Sequence, residues 1–417
     1  MCIAAEAGTS HAATEKGNRM NKEPGGREEC RNVIGPGALD TISSFCWLEN
    51  AHRHARAGKR YRDETMKFTA NLERNLLEIQ RELRTGTYEA GEYRRLWVTI
   101  PKRRLVMALP YRDRVVQWAI YLLLNPYFDK RFIEDSYACR VGKGSHEALE
   151  RLQYWLRKVS RKPGPKWYYL KLDISKYFYR VNHEVLLGIL RRHIADEGLM
   201  RLLETIVNND KEPFGLPAGK RPEEVPRREW RYDVGMPIGN LSSQLFANIV
   251  LNELDQYAKH KMRLRHYIRY MDDIVILGND KRRLQAWRDE ISAYLRDVLR
   301  LELNKKTTIR PISMGIEFVG MRVWATHRII RKSTVRREKR AVKSIAGKLA
   351  RGEMSKPATM RRIDSMRGMM DHAESAGLRW RLNETLLDRA GDEIGGDLPF
   401  GRGSSDRKTV RHRVRTE

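Results

Sequence analysis

The sequence predicts an α+β fold, because helical periodicities and strand-like apolar runs occur in the same chain. Apolar residues recur at three- and four-residue steps from Phe68 to Leu83, which predicts an amphipathic helix that ends near Gly86. Residues 167–174 alternate between apolar and polar side chains, as a strand with one buried face does. The run HYIRYMDDIVIL holds two adjacent acids between two short β-branched segments, which predicts a tight hairpin.

The chain is strongly basic. Its 417 residues include 81 Lys and Arg against 53 Asp and Glu, which is a formal net charge of +28. Such a surplus favours a polyanionic partner, because each phosphate that a Lys or Arg neutralises releases condensed counterions. Nucleic acid is the first expectation and an anionic membrane the second. The membrane is disfavoured because the longest apolar run, residues 118–124, is too short to span a bilayer.

The cysteines and the first residues of the chain indicate which kinds of site and which cellular compartment to expect. Cys2, Cys30, Cys46 and Cys139 are scattered without a C-x-x-C pair, which argues against a structural zinc site and a disulfide framework. Residues 1–20 mix Glu, Lys, His and Gly with no sustained hydrophobic segment, unlike a secretory signal. We therefore expect a cytoplasmic protein that does not enter the membrane.

Further elements follow from local patterns along the chain. Residues 111–128 read as a largely buried helix, and helices are also predicted at 175–194 and 281–299. Strands are predicted at 301–310 and 316–324. Breakers at 161–166 mark a boundary, the proline-rich residues 209–233 form a long insertion, and 332–387 form a basic helical unit.

Three acids are candidates for chemistry. Asp272 and Asp273 repel each other, so their place at a hairpin tip makes most sense if a cation neutralises the pair. Asp173 ends the strand predicted at 167–174, where a helix is expected to follow. From these letters alone, a solvated turn remains as open as a metal site for the acid pair, and an Asp placed like Asp173 is more often structural.

Two basic segments suit phosphate. Residues 96–110 predict a hairpin whose turn carries Lys102, Arg103 and Arg104, a charge pattern that grips phosphates without reading bases. The glycine-bearing loop 135–146, with Arg140, leads into a helix near Ser145, a candidate N-cap. No Walker pattern is present in this loop, so the loop by itself is weak evidence for a nucleotide site.

The motifs, taken in order, resemble those of the reverse transcriptases. LKLDISKYFYRVNHEVL resembles the first palm motif of that family, GMPIGNLSSQLFANIVLNELD the template-primer motif, and RYMDDIVIL the metal-binding hairpin. LELNKKTTI and GIEFVGMRV resemble the next two motifs, and PKRRLVMALPYRDRVVQWAI and DSYACRVGKGSHEAL the finger motifs of group II-like bacterial enzymes. The resemblance extends over about residues 40–380 and is specific because seven motifs keep their order.

The resemblance implies a right-hand polymerase with fingers at 93–165, a palm with an antiparallel sheet at 166–330 and a helical thumb at 331–395. A flexible leader (1–37), an N-terminal helical extension (38–92) and a basic tail (396–417) complete the expected organisation. It also implies an RNA-directed DNA polymerase that uses two Mg²⁺ ions, or Mn²⁺ in their place, and deoxynucleoside triphosphates. Its partners would be a template RNA and the growing cDNA or primer.

Site residues follow from the resemblance, motif by motif. The implied metal ligands are Asp173, Ile174, Asp272 and Asp273, and the three acids are joined in catalysis by Lys306, although Lys305 is adjacent to it. Nucleotide contacts are implied for Lys102, Arg104, Arg140, Phe178 and Gln244; for Phe178, a ribose gate and an ordinary core residue remain equally open. Template-primer contacts are implied for Gly239, Ser243, Tyr270, Met271, Phe318 and Gly320.

One departure narrows the subgroup. Group II intron and retron enzymes usually have Gln-Gly followed by Ser-Pro in the palm-helix motif, whereas this chain has Ile238-Gly239 and Ser243-Gln244. The Ser-Gln ending is similar to the enzymes of diversity-generating retroelements, which copy a template-repeat RNA with errors at adenines alongside a small basic accessory protein. A group II-like, retron or defence-associated enzyme and a non-catalytic RNA-binding protein are the alternatives; the latter is disfavoured by the intact acids.

Overall fold

A computed structural model describes residues 33–99, 103–161, 164–208, 212–217, 220, 222–394 and 399–400. In the first half of the chain the elements are α1 (Ala38–Ser43), α2 (Phe45–Arg56), α3 (Asp63–Ala70), α4 (Leu72–Thr85), β1 (Arg94–Val98), β2 (Arg104–Ala108), α5 (Tyr111–Asp129), α6 (Ser145–Ser160), β3 (Tyr168–Asp173), α7 (His183–Arg191) and α8 (Glu197–Val207). In the second half they are α9 (Leu241–Gln256), β4 (Tyr267–Tyr270), β5 (Asp273–Gly278), α10 (Lys281–Asp297), β6 (Thr308–Pro311), β7 (Ile316–Phe318), β8 (Met321–Val323), β9 (Arg328–Ile330), α11 (Lys332–Ala350), α12 (Lys356–Met370) and α13 (Ala376–Ile394). The mixture of helices with antiparallel strands is the predicted α+β class.

Contacts divide the chain into two compact units that alternate along the sequence. Described residues within 1–142, 173–265 and 287–306 belong to the first unit, and those within 143–172, 266–286 and 307–417 to the second. The subdomain boundaries predicted from the sequence stay predictions. Among the described residues, no helix is both long and apolar enough to cross a membrane.

The first unit is mainly helical. Helix α5 packs against α2 and α9, and its Val115, Val116, Ala119 and Leu124 are all buried. This burial on several sides explains why its sequence shows little amphipathic contrast. Helices α7 and α8 begin at side-chain caps, Asn182 accepting from the Val185 amide and Asp196 from the Leu199 amide.

The antiparallel hairpin β1–β2 also belongs to the first unit. Its register pairs Val98 with Arg104, and Leu105 and Met107 of β2 form a small apolar cluster with Phe214 of the long insertion. The hairpin predicted from the sequence is therefore confirmed in its strands. Its predicted tip, with Lys102, lies outside the described residues.

The second unit is built on two sheets and a helical bundle. One sheet has the strand order β4-β5-β3-β6, with α6 packed against β4, and the other has the order β7-β8-β9. Helices α11, α12 and α13 enclose their own apolar cluster, which includes Val342, Ile363 and Leu382. The basic helical unit expected after residue 332 is confirmed as helical.

Several predicted elements differ from the observed ones for local reasons. The helix expected at 175–194 begins only at His183, because residues 177–179 form a 3₁₀ turn and Asn182 caps the helix. The helix expected at 68–83 is broken at Asn71 into α3 and α4. The strand expected at 301–310 shrinks to β6, and that at 316–324 is a hairpin whose turn has positive φ at Val319 and Gly320. Ser145 is the first helical residue of α6 and not its cap.

Candidate active site

The acid-bearing turn connects β4 to β5. The register pairs Tyr270 with Asp273, so Met271 and Asp272 are the two turn residues and Asp273 is the first residue of β5. Met271 has φ of 54°, a conformation that costs a non-glycine residue about 1–3 kcal/mol and persists only where its surroundings impose it. The predicted hairpin is confirmed, with Asp272 at its tip.

A buried arginine supports this turn. Arg269 of β4 is completely buried, and its Nη1 donates to the carbonyl oxygen of Met271 at 3.2 Å. A guanidinium away from water requires such acceptors, because an unmade bond to a buried charge costs several kcal/mol. Sequence reasoning missed Arg269; the available signal was a charged residue at an inward-facing position among apolar neighbours of a short strand.

Asp273 is paired with a lysine of the neighbouring strand. Lys171 Nζ lies 3.0 Å from Oδ1 and 3.1 Å from Oδ2 of Asp273, and it also donates to the Glu317 carbonyl. Both charged side chains are about one quarter exposed. The sequence predicts a cation that neutralises the acid pair. Lys171 supplies part of that positive charge, although the sequence pattern did not identify this residue.

Asp173 is the last residue of β3, which lies beside β5 in the sheet. It follows Lys171 by two residues, so the two side chains lie on the same face of the strand. The carbonyl of Asp173 accepts from the Asn304 amide at 2.7 Å, and Ile174 forms a bridge with Leu303. Ile174 has a hydrocarbon side chain, which is buried, and its backbone carbonyl is the group with the chemistry of a metal ligand.

The carboxylates suit a hard cation such as Mg²⁺, which takes oxygen ligands, but they do not form a complete coordination shell by themselves. Among the described residues, no three His, Cys, Asp or Glu side chains form a group that could hold a metal ion unaided. Asp173 and Asp272 are half-buried carboxylates, whereas Asp273 is shared with Lys171. Mg²⁺ accepts such a partial set, because it keeps water and takes further ligands from substrate phosphates.

The glycine-bearing loop before α9 is fastened to the β1–β2 hairpin. The Met107 amide of β2 donates to the Ile238 carbonyl at 3.0 Å. Gly239 has φ of +122°, and a Cβ there would lie 2.9 Å from Val106 Cγ1. The position therefore requires glycine on two grounds, backbone conformation and the close approach of β2.

Phe178 lies in the 3₁₀ turn that contacts the same loop. Its carbonyl accepts from the Met236 amide at 2.7 Å, and its half-buried ring meets the Tyr177 ring edge-on with centroids 5.8 Å apart. Ser243 is buried in the first turn of α9, and Gln244 beside it is half-buried. The structure brings Phe178 to the loop that opens α9, while the roles implied for these residues stay predictions.

The predicted phosphate-binding cations have different surroundings. Arg104 is exposed at the start of β2, and Lys306 is exposed, with its amide donating to Asn304 Oδ1. Arg140 instead turns inward: its Nε contacts Asp129 Oδ1 at 2.6 Å, and its other nitrogens donate to the carbonyls of Asp129, Ile133 and Ser136. These contacts give Arg140 a role in holding its loop, and its contact with a triphosphate stays a prediction.

Two further template-primer candidates lie on the β7–β8 hairpin. Phe318 is buried at the end of β7 and pairs with Met321, and Gly320 lies in the turn with φ of 81°. Tyr270 and Met271, the other candidates of the second unit, are half-buried beside Asp272. The template-primer contacts implied for these four residues stay predictions.

Acids of the long insertion neutralise part of the β1–β2 hairpin. Arg95 is held by both carboxylate oxygens of Glu212 at 2.9 Å and by Glu223 at 2.8 Å. Arg103 stacks over Trp97 at 4.1 Å and lies 3.8 Å from Glu224. The sequence indicated a cationic hairpin and a polar insertion, but nothing in it indicated that the two would pair.

Known proteins with similar sequences assign the family. Residues 99–323 match the family described as reverse transcriptase (RNA-dependent DNA polymerase). Protein YkfC of Escherichia coli is 29% identical over 317 residues, which cover 68% of this chain and 78% of YkfC. The group II intron-encoded protein LtrA of Lactococcus lactis is 22% identical over 334 residues, which cover 64% of this chain and 51% of LtrA.

Among solved structures, apo telomerase from Candida tropicalis has a TM-score of 0.42 at 11% identity, covering 74% of this chain and 59% of telomerase. That likeness is too low to carry an argument. The matched sequence region, with its acid-bearing turn, defines the chain as a nucleic-acid polymerase. Since the match spans more than half of its length, the chain belongs to the reverse transcriptase family of RNA-directed DNA polymerases.

Proposed function

We propose that this protein copies a template RNA into cDNA at a two-metal site held by Asp173 and Asp272. The observation that carries this proposal is the placement of Asp272 at the tip of a strained two-residue turn, with Asp273 neutralised by Lys171. Asp272 is half-buried at this tip, and the proposal assigns a metal ion to its carboxylate. Asp173, at the end of the neighbouring strand, is the second ligand in this proposal.

The residues of this chain bind and orient the reactants. Asp173 and Asp272 would hold the pair of Mg²⁺ ions, which would lower the barrier for attack by the primer 3′-hydroxyl and neutralise charge on the leaving pyrophosphate. Arg104, exposed on the hairpin, binds the triphosphate by charge, and Lys306 holds a proton at Nζ for the leaving group. Phe178 restricts the ribose 2′ position, which favours deoxynucleotides.

Mutagenic copying in a diversity-generating retroelement is the finer proposal. It is supported by Ser243-Gln244 at the start of α9, where group II and retron enzymes usually have Ser-Pro. Ser243 is buried and Gln244 is half-buried in the first turn of the helix. A proline at position 244 would remove a backbone N–H donor and restrict the conformation of residue 243. With Gln244 in place of proline, the first turn of α9 keeps that donor and that freedom. A small basic accessory protein is part of this proposal.

A group II intron-like enzyme is the second candidate. It is favoured by the relatives, since LtrA is by name a group II intron-encoded protein. The chain spans only about half of the length of LtrA. Both candidates share the site, and they differ in the RNA that is copied and in the fidelity of copying.

Primer extension tests the shared site. Purified protein, a primed RNA template, deoxynucleotides and Mg²⁺ should give extended primer, and Asp272→Ala should abolish the product. Asp289→Ala is a matched control, because Asp289 is an exposed helical acid paired only locally with Arg288. Equal extension by Asp272→Ala and the wild type would contradict the metal assignment.

Sequencing of the cDNA separates the two candidates. Errors concentrated at template adenines are expected for the retroelement enzyme, together with a near-identical repeat pair in the flanking DNA that differs mainly at adenines. Uniform, faithful copying and no such repeat pair would favour the intron-like candidate.

A further inference from the structure

Helix α6 of the second unit has one buried face and one basic, solvent-facing face. Leu149, Leu152 and Leu156 are buried, and the helix packs against β4 and β8. On the opposite face lie exposed or half-exposed residues at helical spacing, which we call the α6 basic face: Arg151, Tyr154, Arg157, Lys158 and Arg161. The mechanism proposed above uses none of them.

The orientation of the helix is fixed by two hydrogen bonds and one ring contact, and one of these hydrogen bonds is made by Arg157 of the basic face itself. Gln153 Nε2 donates to the Trp324 carbonyl at 3.3 Å, and Arg157 Nε donates to the Ala325 carbonyl at 3.1 Å. The buried Trp155 ring meets the His266 ring edge-on at 5.4 Å. Because the helix cannot rotate without breaking these contacts, the basic face points away from the sheet that carries the acid-bearing turn.

An exposed aromatic ring lies in the middle of the basic face. Tyr154 is 45% exposed, with Lys158 Nζ 5.0 Å and Arg151 Cζ 6.0 Å from its ring centroid. The Lys158 ammonium, bonded to the phenol oxygen, lowers the pKa of Tyr154. Two cations thus lie near this ring, although Arg151 Cζ is closer to the Trp155 ring, at 5.1 Å, and much of the Tyr154 surface remains open to solvent.

Charge is segregated along the helix. The two acids of this side, Glu147 and Glu150, lie in the first turns, and Glu150 is 3.7 Å from Arg328. Beyond Arg151, the exposed charges are cationic through Arg161 and on to Lys166 in the following loop. Cations near a helix C-terminus complement its dipole, but that effect does not call for an exposed aromatic ring among them.

Base stacking on an aromatic ring within a cationic track is how proteins hold single-stranded nucleic acid. An anionic membrane would need several apolar side chains on this face, and Tyr154 is its one large hydrophobic residue. We propose that the α6 basic face binds single-stranded RNA, as a holding surface for template that has not yet been copied. The choice of RNA rests on the proposed function, in which the template is single-stranded until cDNA pairs with it.

Binding of a labelled oligouridine RNA to the full chain tests this inference. Fluorescence anisotropy is measured without nucleotides and with a saturating short RNA–DNA primer-template, so that the probe reports surfaces outside the polymerase site. Tyr154→Ala should weaken binding about tenfold, because stacking contributes about 1–3 kcal/mol per base. Tyr154→Phe keeps the ring and should bind within about twofold of the wild type, since every base stacks on either ring.

Salt dependence tests the cations separately. In the double variant Lys158→Gln/Arg161→Gln, the plot of log association constant against log salt should become shallower. The magnitude of its negative slope should decrease by about 1.4, because each single-strand phosphate contact contributes about 0.7. Lys281→Gln/Arg282→Gln, which removes the same charge from exposed positions of α10, should leave the slope unchanged. All variants should extend a short primer-template as the wild type does.

Unchanged RNA binding by Tyr154→Ala and the double variant would overturn the inference. So would a loss confined to an oligothymidine DNA probe, which would assign the face to cDNA, or a parallel loss of short-template extension. If the wild type extends no primer while these variants still lose RNA binding, the proposed function fails and the α6 basic face stands.

Discussion

The acid-bearing turn between β4 and β5 and the basic hairpin β1–β2 are both antiparallel strand pairs with charged residues, but their charges are held in opposite ways. At the turn, Arg269 is completely buried, and Lys171 and Asp273 are about one quarter exposed. At the hairpin, Arg95 is 36% exposed, and its partners Glu223 and Glu212 are 60% and 13% exposed. At the turn, the buried contacts hold the backbone and the Asp273 carboxylate in place. At the hairpin, the ion pairs stay partly in contact with water.

This difference sets what each region can do. Burial lowers the local dielectric, so the contacts of the turn are strong and little affected by salt. Exposed ion pairs contribute only about 0–1 kcal/mol and are screened, so the hairpin arginines can exchange glutamates for phosphates at small cost. In the proposed function the turn places metal ligands and the hairpin contacts a polymer, and the difference in burial fits these two proposed roles.

Arg269→Met should have the largest effect on stability. It removes a buried charged donor from the Met271 carbonyl, which we expect to lower the free energy of unfolding by about 3 kcal/mol. Urea unfolding followed by circular dichroism measures this. Arg269→Lys keeps the charge and should recover part of the loss; equal stability of all three proteins would contradict the role given to Arg269.

Lys171→Met should impair catalysis more than folding. Without the ammonium, Asp273 loses the partner that fixes its orientation beside Asp272, and we expect about a ten- to hundredfold loss of primer extension, with a raised Mg²⁺ requirement. A Mg²⁺ titration of the extension rate measures this. Lys67→Met, at an exposed position of α3, is the control; a normal Mg²⁺ profile for Lys171→Met would show that the pair does not tune the site.

Gly239→Ala tests the link between the hairpin and the loop before α9. The added Cβ meets Val106 at 2.9 Å in a backbone conformation of φ +122°, and we expect a loss of about 1–3 kcal/mol. Thermal unfolding measures the change. Gly188→Ala is the control, because a Cβ at that helical glycine meets nothing within 4 Å and should stabilise the helix slightly.

Arg95→Gln should change stability by about 1 kcal/mol or less, because Arg95 is 36% exposed and its partner Glu223 is 60% exposed, while its other partner Glu212 is 13% exposed. The small difference from the wild type should shrink further as salt is raised from low to physiological concentration. Unfolding midpoints at several salt concentrations measure this. A large, salt-independent loss would show that the hairpin is held in the same way as the turn, and the comparison would fail.

The hydrogen bond of His183 is a third kind of contact, because it is buried and involves a neutral side chain, unlike the charged contacts of the turn and the hairpin. Its Nε2 lies 2.7 Å from the Gly235 carbonyl, and burial lowers its pKa below the ordinary value. A depressed pKa means stability that is complete above the unfolded pKa of about 6.5 and is lost as pH falls through the folded pKa. His183→Gln keeps a donor without the titration, so its stability should decline less between neutral and mildly acidic pH. Identical pH profiles would contradict this.

Local pattern was sufficient for much of the fold. The period of apolar residues predicted α5 and α10 within a few positions, and the alternation around the acid pair predicted the β4–β5 hairpin. Boundaries failed where a tertiary contact or cap decided them. Helix α7 begins late because Asn182 bonds the Val185 amide after a 3₁₀ turn, a choice that helical periodicity does not encode.

The sequence by itself determined the class of the protein, since the order of its motifs, its acids and its charge are all properties of the chain. Only the tertiary structure decided that Lys171 pairs with Asp273, that Arg140 turns inward, and that Glu212 meets Arg95. In each case the two partners are separated in sequence. Which charged side chains form an ion pair is determined by their burial and their distance in the fold, not by residue type. A periodicity reports the face a residue occupies; the neighbour on that face is a property of packing.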